Sequence, residues 1–260
     1  MIQYKISFAG AGKVAGALCL ELHNKGHQVQ QIVSTGEKHG RSLAEKFNAG
    51  WSNNLIFPDS TQIIIVAVPD HSLKEVLDGI KCSKRTIVAH TAGSFGLEVF
   101  PESLKNIGVF YPLQTFSKEI KTDFTGIPVF IESSDHDSES VLKSLAESMG
   151  CSVHFTDTEH RRLLHVAAVF VSNFTNYMFT AGKEVASKAG FSFEVLKPLI
   201  LETVKKALEL GPENSQTGPA VRYDLNTIEK HLDLLSFSPE LKDVYGEITK
   251  AIIHYYKRLK

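Results

Sequence analysis

Gly10-Ala11-Gly12-Lys13-Val14-Ala15-Gly16 stands directly behind a short apolar run and opens a stretch with helical spacing. The pattern is G-x-G-x-x-A. Gly10 permits a tight turn, Gly12 lets backbone approach a pyrophosphate with no Cβ in the way, and Ala15 lets the helix lie close to a sheet. The N–H groups of Ala11, Gly12, Lys13 and Val14, with the positive end of the helix behind them, are the expected anion holders. The chemistry implied is dinucleotide binding.

The residues after the second apolar run bear on which dinucleotide. An NAD site usually carries Asp or Glu there, bonded to the ribose 2′-OH. Here the place reads Val33-Ser34-Thr35-Gly36, without an acid, and Lys38 and Arg41 lie just beyond. Hydroxyls and cations suit a 2′-phosphate, so NADP is expected over NAD. The other reading of Lys38 and Arg41 is a solvated helix surface. Two further turns, Val68-Pro69-Asp70-His71 and His90-Thr91-Ala92-Gly93-Ser94, follow apolar runs and fall at the sheet edge where ligands bind in open α/β folds. Val68, Pro69 and His90 are therefore candidates for contact with the nicotinamide end.

Farther along, His165, Val169, Ser172 and Asn176 follow i, i+4, i+7, i+11 spacing, with Asn173 one step around and apolar neighbours such as Val166, Ala167 and Phe170. Polar groups on such a helix are costly unless paired or facing a wet cleft, and histidine suits proton transfer near neutral pH. Either His165 handles a proton or it is a satisfied core histidine. Gln216 to Asp224 crowds donors, Arg222 and an acid into one loop. Arg222 could clamp a carboxylate or phosphate; alternatively it ties structurally to Asp224, a helix cap. His231 could share a helix face with Asp224 and Thr227.

These residues need elements to hold them. The first half alternates short apolar runs with amphipathic stretches: strands at Lys5 to Phe8, Val29 to Val33, Gln62 to Val68, Thr86 to His90, Ile107 to Tyr111, Pro128 to Ile131 and Ser152 to Phe155, and helices at Lys13 to Asn24, Arg41 to Asn48 and Ser138 to Met149. The run QIIIVAV reads as a strand buried on both faces. The alternation predicts an α/β fold with a parallel, doubly wound sheet over residues 1–155. From Thr156 the pattern turns all-helical, giving a second domain over 156–260. It opens with capping-box spacing at Thr156 to Glu159 and a helix to Ala189, about 50 Å if unbroken. Ser192 is placed to cap the next helix, kinked at Pro198 and ending at Leu210. Gly211 to Val221 reads as a loop, and helices begin after Asp224 and Ser238.

Composition narrows the function classes. The 260 residues are 43% hydrophobic and 22% charged, with a net charge of -1, which suits a folded globular protein without a field to gather nucleic acid. No apolar run nears the roughly 18 residues of a membrane helix. The opening MIQYKISFAGAG does not read as a signal peptide. Cys19, Cys82 and Cys151 stand apart without metal-ligand spacing, so reduced thiols in a cytoplasm, and no metal, are expected.

GAGKVAGAL, IIIVAVPD, HTAGS, YPLQTFS, HVAAVFVSNF and QTGPAVRYDLNTIEKHL together resemble the Rossmann-like NAD(P)-binding oxidoreductases whose C-terminal half is the domain of unknown function 2520. The resemblance spans nearly the whole chain. It implies an N-terminal dinucleotide domain, a helical C-terminal domain similar to that of 6-phosphogluconate dehydrogenase, and dimers formed through the helical halves. β-Hydroxyacid dehydrogenases, more distantly similar, carry a catalytic lysine one turn before an asparagine. Residues 165–176 contain no lysine, the first afterwards being Lys183, and Tyr111 stands where the resemblance leads one to expect histidine.

The reading that unites these features is an NADP-dependent oxidoreductase moving a hydride between nicotinamide and a small-molecule substrate held between the domains. His165 would handle the proton, Asn173 would bond the reacting group, and Arg222 would anchor substrate. Its rival is an NADP-binding sensor or regulatory protein without turnover, which the missing lysine favours.

Overall fold

The computed structural model describes residues 2–117 and 120–259. By its contacts the chain divides into two compact units, residues 1–172 and 173–260.

The first unit is built on eight strands: β1 (Lys5–Ala9), β2 (Gln28–Val33), β3 (Gly50–Ser52), β4 (Ile63–Val66), β5 (Ile87–His90), β6 (Ile107–Pro112), β7 (Pro128–Ser133) and β8 (Ser152–Phe155). Their order across the sheet is β3-β2-β1-β4-β5-β6-β7-β8. The first six run parallel, in the order of a dinucleotide-binding fold. β7 turns antiparallel to β6, and β8 follows β7. The sheet is thus mostly parallel, as expected, with one antiparallel pairing near that edge. The apolar runs of β7 and β8 fix strand existence but not direction, which the connection sets.

Four helices cover the sheet: α1 (Lys13–Asn24), α2 (Glu37–Glu45), α3 (Asp70–Gly79) and α4 (His136–Ser148). Strand side chains alternate between two apolar layers. Ile63 and Ile65 of β4 pack with Leu18 and Leu22 of α1, Ala44 of α2 and Leu142 of α4. Ile64 and Val66 pack on the other face with Leu73 and Leu77 of α3. All four β4 residues are buried, as a strand covered on both faces requires.

Registry brings Ala9, Val33, Val66 and His90 level at the carboxyl edge. The residues that follow them therefore share one rim. Two elements there were not read from the sequence. β3 is only three residues long, and α3 begins at Asp70 where a turn was expected. α2 starts at Glu37, a turn earlier than expected, so Arg41 stands in its second turn.

After β8 comes α5 (Thr158–Ala168), capped by Asp157, whose carboxylate accepts from the His160 N–H at 2.9 Å. The cap expected at Thr156 is displaced by one residue. A π turn at Val169–Phe174 follows, then α6 (Thr175–Lys188). The spacing drawn from His165 to Asn176 assumed unbroken α-helix. The wider turn inserts about one residue, roughly 100° of rotation, and takes Asn176 off that stripe.

The second unit holds α6, α7 (Lys197–Leu210), the single turns α8 (Pro212–Ser215) and α9 (Pro219–Arg222), α10 (Leu225–Leu234) and α11 (Pro239–Arg258). A 3-10 turn at Phe193–Leu196 follows Ser192, so Pro198 sits at the start of α7 and kinks nothing. Gly211 to Val221, expected as loop, contains two helical turns. Asp224 caps α10 through the Thr227 N–H at 3.1 Å, and Ser238 occupies the cap of α11.

Candidate active site

The glycine loop occupies the β1 end of the rim. Gly10 has φ +112°, and a Cβ there would lie 2.2 Å from the Ala67 carbonyl oxygen. Only glycine fits so close an approach of loop to strand end. Gly12 is the reverse case. A Cβ built on it meets nothing within 4 Å, and it stands at the N-cap of α1 without a side-chain cap. The first N–H groups of α1, at Lys13 and Val14, are therefore unfilled by any capping side chain and border open space. This cradle fits a pyrophosphate. A cavity of about 580 Å³ adjoins it, lined by Gly12, Lys13, Lys38, His39, Lys46 and Lys121 among others, with no carboxylate among the described residues.

At the β2 end, Ser34 is half-buried, while Thr35, Lys38 and Arg41 are exposed. The Arg41 Nε–H donates to Glu37 at 2.7 Å, and its guanidinium lies 4.4 Å from the centre of the Trp51 ring. Glu37, just past the acid-free stretch, thus engages an arginine.

At the β4 and β5 ends, Val68 is half-buried beside Gly10, and exposed Pro69 precedes α3. His90 is fully buried. Its Nδ1 accepts from the Ala92 N–H at 3.2 Å, and its Nε2 faces the Gly96 carbonyl at 3.4 Å. Both nitrogens being used, the imidazole shapes its own turn. Burial pushes the His90 pKa down to about 4, so the folded protein holds the neutral ring. The unfolded chain takes up the proton near pH 6.5. Stability contributed by neutral His90 is therefore complete above pH 6.5 and is lost as pH falls toward 4, by up to about 3 kcal/mol. Denaturant unfolding should show this slope, and His90→Gln should flatten it; an unchanged slope would place the acid sensitivity elsewhere.

The β6 end carries a feature that sequence reading did not find. The Tyr111 hydroxyl lies 2.9 Å from His165 Nδ1, and the rings meet edge to face with centroids 5.8 Å apart. Tyr111 is buried and His165 half-buried. Burial pushes the Tyr111 phenol up, against the opposing pull of the Arg161 guanidinium, so the hydroxyl stays protonated. The His165 ring makes no other hydrogen bond among the described residues, which leaves Nε2 for a ligand. Gly93 presses on the pair: a Cβ there would come 2.7 Å from His165 Nδ1 and 2.9 Å from Tyr111 Cζ.

One turn before His165, Arg161 is completely buried. It ion-pairs with Glu132 of β7 and donates to the Phe95 carbonyl at 2.6 Å. Thr158 donates to the same Glu132 carboxylate at 2.9 Å. Arg162 adds a bond to the Ser94 carbonyl at 2.8 Å. A buried guanidinium is tolerable only when paired in this way, and breaking such a pair costs about 3–5 kcal/mol. These contacts fasten α5 to β7 and to the turn after β5, and so set His165 against Tyr111.

Of the other expected site residues, Asn173 is exposed and falls within the π turn, in the second unit with Arg222. Arg222 is exposed at the end of α9. The neighbouring Asp224 is committed to its cap, bonding Thr227 through both backbone and hydroxyl. His231 bonds the Tyr245 hydroxyl at 2.8 Å rather than Asp224 or Thr227.

Strand order and the glycine cradle define a Rossmann-type dinucleotide-binding protein. Residues 5–93 match the family described as NADP oxidoreductase, coenzyme F420-dependent, and residues 127–252 match the domain of unknown function 2520. A structure described as a "putative NADP oxidoreductase" from Bacteroides fragilis is 36% identical, with 97% of this chain and 98% of that one covered and a TM-score of 0.89. The chain belongs to this family of NADP oxidoreductases with a C-terminal domain 2520. Two more distant structures share the fold. One is an imine reductase from a Pseudomonas species, at 15% identity, coverage of 98% and 93% and a TM-score of 0.66. The other is a Plasmodium falciparum pyrroline carboxylate reductase with NADP bound, at 15%, coverage of 96% and 100% and a TM-score of 0.58. No curated protein sequence gives a match. Among the described residues no helix is long and apolar enough to cross a membrane.

Proposed function

We propose that the chain is an NADP-dependent oxidoreductase in which the Tyr111–His165 pair delivers the proton that accompanies hydride transfer to a small-molecule substrate. The observation that carries this reading is a hydrogen-bonded phenol–imidazole pair on the rim that also bears the glycine cradle. Bound NADPH would supply the hydride. With the pyrophosphate on α1, the β6 rim lies three strands away, roughly 15 Å at 4.8 Å per strand.

The residues divide the remaining work. A tyrosine hydroxyl both donates and accepts. It accepts from Nδ1–H both in the imidazolium and in the neutral ring left when Nε2 has given up its proton. His165 keeps its orientation in both states, and Nε2–H can pass one proton to the substrate heteroatom as the hydride reaches the adjacent carbon. Solvent then restores the proton to Nε2. No lysine is needed for this step, which accounts for the absence of one between residues 165 and 176.

The same reading assigns NADP over NAD, on Ser34, Lys38 and Arg41. Losing a charged hydrogen bond costs about 1.5–3 kcal/mol. Calorimetry should show NADPH binding more tightly than NADH, and Arg41→Ala should weaken NADPH by roughly 10-fold or more with NADH little changed. Equal wild-type affinities would defeat the assignment.

The protein is further proposed to act as a homodimer in a reducing cytoplasm, consistent with its three free thiols. In the second unit neither α6 nor α7 has a buried residue. Leu199, Leu201 and Leu208 of α7 are at least 65% exposed. Apolar surface on this scale marks an interface. A second copy, bringing the same faces, is the proposed occupant. Sedimentation should give twice the 28.7 kDa of one chain, and Leu201→Glu with Leu208→Glu should reduce it to one.

A further inference from the structure

We propose that Trp51, the only tryptophan in the chain, is a positioning residue that sets the preference for a 2′-phosphorylated dinucleotide. The inference rests on the NADP reading above and assigns its selectivity to a residue outside the loop that would touch the phosphate.

Trp51 lies on the edge strand β3, level with Ile32 of β2. Its side chain holds two of the candidate phosphate ligands at once. The indole Nε1–H donates to Ser34 Oγ at 3.2 Å, and the ring face carries the Arg41 guanidinium at 4.4 Å. Gly40 of α2 leaves the room for this arrangement. A Cβ there would stand 2.0 Å from Ser34 Oγ and 2.3 Å from Trp51 Nε1. A glycine inside a helix is costly, and here it lets α2 close on the serine–tryptophan contact.

The chemistry of each contact points to phosphate. An indole N–H only donates, so it fills an acceptor site on Ser34 and leaves the hydroxyl proton to be given away. That proton now reaches the Gly36 carbonyl at 3.3 Å, a long bond that an incoming oxyanion can replace. A phosphate has acceptors alone to offer, whereas a ribose 2′-OH gains less from a serine fixed as donor. Arg41 is held from below by the ring and from one side by Glu37 through Nε. Its two terminal amino groups remain as a fork for a phosphate. Stacking limits the rotamers of an otherwise exposed side chain, so less freedom is lost on binding.

The test is calorimetric titration of NADPH and NADH into wild type, Trp51→Phe, Trp51→Leu, Ser34→Ala and Trp51→Phe/Ser34→Ala, with thermal unfolding of each. Trp51→Phe keeps a ring under Arg41 but loses the N–H, and should weaken NADPH by about 3–10-fold. Trp51→Leu loses both contacts and should weaken it by about 10–100-fold. NADH should stay within about twofold throughout. Adding Trp51→Phe to Ser34→Ala should cost little more, because the N–H acts through that hydroxyl. If wild type binds both dinucleotides equally, the NADP reading itself fails. If wild type prefers NADPH and the Trp51 variants keep that preference, or lose both cofactors in parallel, the role of Trp51 is overturned while the NADP reading stands. Should Trp51→Leu fail to fold, the Trp51→Phe and Ser34→Ala comparison decides alone.

Discussion

His165→Asn and Tyr111→Phe should each leave NADPH affinity intact and cut turnover, His165→Asn by about 10²–10⁴-fold, the usual contribution of a positioned acid–base group. Tyr111→Phe should have the smaller effect, since it removes the partner that aims the imidazole and not the group that gives the proton. The two losses should not add, because both act through one hydrogen bond. A structural histidine would behave differently. Its removal would strand the buried Tyr111 hydroxyl and cost about 1–3 kcal/mol of stability. Thermal unfolding and NADPH titration separate these outcomes before a substrate is in hand. A large fall in melting temperature for both variants would make the pair a structural tie. NADPH binding without turnover of any substrate would then favour a sensor over an enzyme.

The second large effect concerns the two loop glycines, which should fail in different ways. Gly12→Val puts a branched side chain into open space at the head of α1, with φ at an ordinary -77°. The fold should survive, with stability changed by no more than about 0.5 kcal/mol. Dinucleotide binding should be lost, because two or three charged N–H contacts to pyrophosphate go together, a penalty of about 3–6 kcal/mol or at least a hundredfold. Gly10→Val should lose binding and stability alike. A φ of +112° costs a non-glycine residue about 1–3 kcal/mol before the overlap with the Ala67 carbonyl is counted. Calorimetry and denaturant unfolding on the two variants check the contrast. Retained affinity in Gly12→Val would show that the loop is not the phosphate site.

Much of the first unit was legible because its signals are local. The buried run of β4 and the glycines after β1 each state their role within a few residues. α1 and β8 fall on the expected residues. What escaped was nonlocal. The direction of β7 depends on where its connection crosses, which no strand-length pattern encodes. β3 has too few residues to show a period. The π turn is invisible to a scheme that counts in units of 3.6 residues.

The candidate site divides along the same line. Gly10, Gly12, Ser34 and Arg41 announce themselves by spacing after strands. His165 was found as a polar residue on an apolar helix, but its partner Tyr111 lies 54 positions away on β6. Arg161 gave one usable signal: it sits four residues before His165, on the same helix face. Its burial against Glu132 needed the fold. Trp51 could have been singled out only by its being the sole tryptophan, and Gly93 only by standing in a strand-end turn.

The central claim is that a bound dinucleotide runs from the glycine cradle to the Tyr111–His165 pair. Nuclear Overhauser contacts between NADP and the intact protein, selectively labelled at tyrosine and histidine rings, measure this directly. The account predicts magnetisation transfer from the nicotinamide ring protons to the rings of Tyr111 and His165, lost for the corresponding signals in Tyr111→Phe and His165→Asn and absent throughout in Gly12→Val. Transfer confined to the adenosine half, with the nicotinamide ring free of both side chains, would contradict it.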